Sequence, residues 1–83
     1  MIAERDGFRL VYQSTNGEWH TLKLTHPIGF RGEGRRRKRN WWLAWNDDRL
    51  ARNSDAGKLH QYQPDIYNWV VDALTLWHPL SSL

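Results

Sequence analysis

Cysteine is absent from this 83-residue chain. That absence excludes a disulfide framework and any zinc site with thiolate ligands. No apolar run is long enough to span a bilayer, and the opening "MIAERDGFRL" lacks the basic-then-apolar layout of a secretory signal. These absences predict a soluble, cytoplasmic protein without a membrane partner. The signatures of common chemistry are also missing. His20, His26, His60 and His78 show no metal-ligand spacing, and there is no HExxH motif or nucleophile elbow. "GFRGEG" has glycines but not the length or the strand–loop–helix setting of a phosphate-binding loop. No helix-turn-helix, RNP-type, zinc or kinase signature stands out. The expectation is therefore no cofactor, no metal and no catalytic residue.

Acidic residues are scarce in one place. Residues 31–39 hold Arg31, Arg35, Arg36, Arg37, Lys38 and Arg39 against Glu33 alone, a local balance of +5. The rest of the chain carries −2. A mildly acidic body with one basic stripe points to a site, whereas an evenly basic protein would adhere to any polyanion.

Aromatics are abundant. Six Trp, three Tyr and two Phe exceed what so small a core easily hides, since a chain near this length buries only about 60% of the surface it exposes when unfolded. One domain over residues 1–83 is expected.

Side-chain alternation predicts most elements. "FRLVYQSTNGEWHTLKLT" reads as a hairpin on the Asn16–Gly17 turn signal, with strands at about 8–14 and 18–25. A three-residue loop on Thr15, Asn16 and Gly17, with Gly17 left-handed, sorts the side chains best. Phe8, Leu10, Tyr12, His20, Leu22 and Leu24 then share one face; Arg9, Val11, Gln13, Trp19, Thr21 and Lys23 share the other. Pro27 and three glycines make residues 27–39 a long mobile basic loop. "NWWLAWNDDRLARN" reads as a second hairpin, strands at about 40–46 and 49–53, turning at Asp47 and Asp48. Trp41, Leu43, Trp45 and Leu50 form its core face; Trp42, Ala44, Arg49, Ala51 and Asn53 face the other way.

Helices are expected at about 55–62, capped by Ser54, and at about 64–77, with Pro64 in the first turn and Asp65 near its positive end. Ile66, Trp69, Val70, Ala73 and Trp77 recur at helical spacing and would lie on the sheet. The fold class is α+β: a small antiparallel sheet of about four strands, in two hairpins, followed by one or two C-terminal helices packed on one face.

The basic stretch beside "NWWLAW" is the strongest functional signal. Arginine grips phosphate through a bidentate fork and stacks on bases. Aromatics on an open sheet offer platforms to unpaired bases. The first reading is a small non-enzymatic nucleic-acid-binding protein, for DNA or RNA. Arg31, Arg35, Arg36, Arg37, Lys38 and Arg39 would neutralise phosphates, and Trp42 would stack or wedge. Arg9, Trp19, Lys23 and Arg49 join that surface if the two hairpins form one sheet.

The second reading is a protein-interaction module, an inhibitor or regulator of a nucleic-acid-handling machine. Its Trp and Arg hot spots would meet an acidic protein surface, or a second copy would join through a sheet edge or exposed aromatics. The third is a small basic ribonuclease or toxin. That reading needs a histidine, an arginine and a carboxylate together, and the sequence places no such pair; turn chemistry accounts for Asp47 and Asp48.

Overall fold

The structure, a computed structural model, describes residues 1–31 and 37–77, with side chains described for 1–27 and 40–77. Its order is β1 (Ala3–Arg5), β2 (Phe8–Asn16), β3 (Trp19–Arg31), β4 (Arg37–Asn46), β5 (Arg49–Leu50), α1 (Ala56–Tyr62) and α2 (Pro64–Leu76). The fold is α+β, a five-stranded antiparallel sheet in the order β1-β2-β3-β4-β5 followed by two C-terminal helices packed against it. Each strand pairs with its neighbour in sequence, so the sheet is a meander of hairpins.

The expected four strands become five because the Asp6–Gly7 pair makes a hairpin of its own. Both residues have positive φ, 51° and 86°, and Arg5 pairs with Phe8 across them. A two-residue turn with both central φ positive matches the twist of the flanking strands, and Asp-Gly favours it. Gly7 is needed twice over: a Cβ there would lie 2.7 Å from Nε2 of His26.

In the β2–β3 hairpin the expected sorting of faces holds, but the pairing differs. Asn16 pairs with Trp19 around Gly17 and Glu18, and an irregularity at Gln13 shifts the register, so Leu10 pairs with Leu24 and Tyr12 with Leu22. Gly17 is left-handed, φ 64°. The bulge at Gln13 changes the pairing partners and still keeps Leu10, Leu22 and Leu24 on one side. The second hairpin turns on Asp47 and Asp48 as expected, with Asn46 opposite Arg49. Strand β5 stops at Leu50, short of the expected 53: Ala51 N–H still donates to Ala44 O, and the chain then turns, with Ser54 N–H donating to Ala51 O.

The expected loop at 27–39 is strand at both ends. Phe30 pairs with Lys38 and Arg31 with Arg37, which overturns a loop over those positions. Between the Thr25–Asn40 and Phe30–Lys38 pairs, four residues of β3 stand opposite one of β4. This bulge contains Pro27, which has no N–H to give a regular ladder. The tip, with Gly32, Glu33, Gly34, Arg35 and Arg36, lies outside the described residues.

The core lies between one sheet face and the helices. Leu10, Leu24 and Trp41 form one row across the sheet, Leu22 and Leu43 the next, and Trp45 and Leu50 a third. All are buried, with Phe8 beside them, and Ala56, Leu59, Ile66, Val70 and Leu74 cover them from α1 and α2. On α2 the expected stripe holds at Ile66 and Val70, while Trp69, Ala73 and Trp77 are only partly buried and Leu74 joins the centre. Helix α1 begins at Ala56. The Oγ of Ser54 accepts the Ala56 N–H at 3.2 Å, and Asp55 occupies the cap position without a side-chain capping bond. Trp77 leaves the helix in an extended conformation.

Candidate nucleic-acid interface

Residues pointing away from the helices form the other face of the sheet. Three rows cross it by register: Glu4, Arg9, Thr25 and Asn40; Val11, Lys23 and Trp42; Thr21 and Ala44; beyond them Asn16 pairs with Trp19 and Asn46 with Arg49. The two hairpins share one sheet, so Arg9, Trp19, Lys23, Trp42 and Arg49 all lie on this face.

Trp42 is 44% exposed, in contrast to its neighbours Trp41 and Trp45, which are buried. Alternation along one strand separates them. Its backbone is fixed on both sides. Lys23 is its cross-strand partner in β3. On the outer edge the Asp55 carboxylate accepts the Trp42 N–H at 2.8 Å, and the Asp55 N–H donates to the Trp42 carbonyl at 2.8 Å. Asp55 thus occupies the edge that the two-residue β5 leaves free. The sequence offered no signal for this contact, because a carboxylate before a helix reads first as a cap.

At the turn end of the face the Arg49 guanidinium lies over the Trp19 ring, 5.6 Å from its centroid. An arginine on an indole face is held by the ring quadrupole and keeps its N–H fork available. A shallow cleft of about 590 Å³ opens beside this pair, lined by Trp19, Arg49, Arg52, Asn53 and Tyr67 among others. Neither Arg49 nor Arg52 has a carboxylate partner among the described residues. Arg52 was not anticipated as a site residue; its place in the turn after β5 carries no pattern.

Arg9 is engaged differently. Its Nε–H donates to Glu4 Oε2 at 2.8 Å, an exposed ion pair that sets a carboxylate beside its guanidinium. Arg31, Arg37, Lys38 and Arg39 stand on the paired strands where β3 and β4 run past β2. Arg35 and Arg36 lie outside the described residues.

Two histidines lie on the helix side, of which only His20 was expected on the core face. His26 is buried, its Nε2 3.1 Å from the Asp6 carbonyl and its ring 4.7 Å from Phe8. His20 closes a chain of contacts at the tip of the β2–β3 hairpin. Thr15 Oγ1 lies 2.9 Å from its Nδ1, the Tyr12 hydroxyl 2.6 Å from Thr15 Oγ1, and Trp77 meets the histidine edge-on at 5.4 Å. Tyr12 stays 41% exposed there, its ring 5.5 Å from that of Trp77. Among the described residues, no carboxylate or arginine hydrogen-bonds to His20.

Among the described residues, no group of three or more His, Asp and Glu side chains is placed to hold a metal ion, and no helix is long and apolar enough to cross a membrane. No family model matches the chain, and no curated protein or solved structure matches it significantly. The functional reading rests on the geometry alone.

Proposed function

We propose that this protein binds nucleic acid without acting on it, using the helix-free face of its sheet and the basic β3–β4 hairpin together. The observation that carries the reading is the exposure of Trp42 beside Lys23 on that face, in the same two strands that lead to the basic stretch. Phosphates would be met by Arg31, Arg35, Arg36, Arg37, Lys38 and Arg39, and at the other end by Arg49, which Trp19 holds. Trp42 supplies the apolar contact with a base. The acidic remainder of the chain restricts binding to this side.

The test is fluorescence anisotropy with labelled DNA and RNA oligonucleotides at low salt. Binding is expected to weaken steeply when Arg35, Arg36, Arg37 and Arg39 are changed together to Gln. Absence of binding to every oligonucleotide at low salt would reject the proposal.

A second reading, docking on another copy of the chain, draws on one observation. Strand β1 covers β2 only at residues 8–10, which leaves residues 11–16 without a strand partner on their outer edge among the described residues, an edge of the kind that accepts another strand. Sedimentation at increasing concentration tests it, and a monomer throughout would dismiss it.

A further inference from the structure

We infer that the nucleic acid held on this face is single-stranded, and that it runs along β3 and β4 from Trp42 to the Trp19–Arg49 pair. The inference rests on the nucleic-acid reading above and adds the form of the ligand and its path.

The dimensions of the face support it. At about 4.8 Å per strand, β1 to β4 span roughly 14 Å of backbone before side chains are counted, wider than the roughly 12 Å major groove of B-form DNA. The A-form major groove is narrower still, and its minor groove is shallow. A duplex laid on this sheet would present phosphates to it and keep its bases stacked inside. Trp42 would then reach a base only by wedging into a kinked duplex, at the cost of unstacking it.

An unpaired strand has no such restriction. Trp42 is exposed beside Lys23, and Trp19 lies four residues along β3 from Lys23, about 13 Å away by strand rise. The two indoles stand at separate points along one direction, each with a cation beside it: Lys23 by Trp42 and Arg49 by Trp19. Between them the surface is low, formed by Thr21 and the small, buried Ala44. Alternating aromatic platforms and cations track a chain in which bases and phosphates alternate. Exposure supports this role for Trp42 more than packing does: its backbone is already fixed by Lys23 and Asp55, and nothing in the core requires its ring.

The experiment compares one sequence as single-stranded DNA, single-stranded RNA and the corresponding duplexes, binding to the wild-type chain and to Trp42→Ala and Trp42→Phe. Single strands are expected to bind more tightly than duplexes. W42A should weaken single-strand binding by about 5- to 100-fold, the range of one lost base stack, and leave duplex binding unchanged; W42F should recover much of the loss. Unaltered circular dichroism would show that the variants fold. A preference for RNA or DNA among the single strands identifies the sugar and supports the inference either way. Duplexes binding as tightly as single strands, or W42A lowering both equally or neither, would overturn the inference and leave general nucleic-acid binding standing. No binding to any ligand would overturn both.

Discussion

Three tryptophans within five positions have different roles. Trp41 and Trp45 are sealed under the helices, while Trp42 projects from the opposite face. Alternation alone predicts this, because successive side chains of a strand point to opposite sides. Gly7 is a residue whose role became clear only in three dimensions. Its left-handed backbone and the His26 ring 2.7 Å from any added Cβ leave no room for a side chain. Gly7→Ala should destabilise the protein by about 1–3 kcal/mol, read as a lower urea midpoint; an unchanged midpoint would contradict the tight packing of His26. Leu24, buried between Leu10 and Trp41, should cost about 2–5 kcal/mol as Leu24→Ala. That is a large share of the roughly 4–12 kcal/mol expected for a domain this size, so the variant should be partly unfolded at 37 °C by circular dichroism.

Elements were legible where a pattern was long enough to repeat. Both helices fall within a residue of their expected bounds, because Pro64 marks one start and the apolar spacing of α2 carries through three turns. Strand β1 was missed because three residues cannot show alternation; only the Asp6–Gly7 turn announces it. The basic segment was read as a loop because proline, glycine and like charges all break regular structure. The strands nonetheless continue, since a bulge between Thr25 and Phe30 admits Pro27 into one strand of a pair. The Asp55 link to Trp42 was unreadable because it joins elements thirteen residues apart through an edge that only the short β5 leaves open. Asp55→Ala should cost about 1 kcal/mol of stability and speed hydrogen exchange at the Trp42 amide. Protection as slow as in the wild type would show that the carboxylate does not hold that edge.

At the scale of the molecule, the proposed function divides the work of binding between charge and aromatic surface. The basic hairpin carries a local +5 on a body of −2, so its contribution is electrostatic and salt-sensitive. Trp42, in the same proposal, would contribute by stacking, which salt affects little. The composition displayed the first half of this site and the alternation of β4 the second. The joining of both hairpins into one sheet, which brings Arg9, Trp19, Lys23, Trp42 and Arg49 to one face, is a property of strand pairing that no local pattern contains. The most direct test is the salt dependence of single-strand binding for the wild type and W42A, plotted as log affinity against log salt. Neutralising about five phosphates predicts a slope near −3.5 on single strands, the same for both proteins, with the W42A line displaced downward in parallel. A wild-type slope near zero, or a W42A line that coincides with it, would contradict the account.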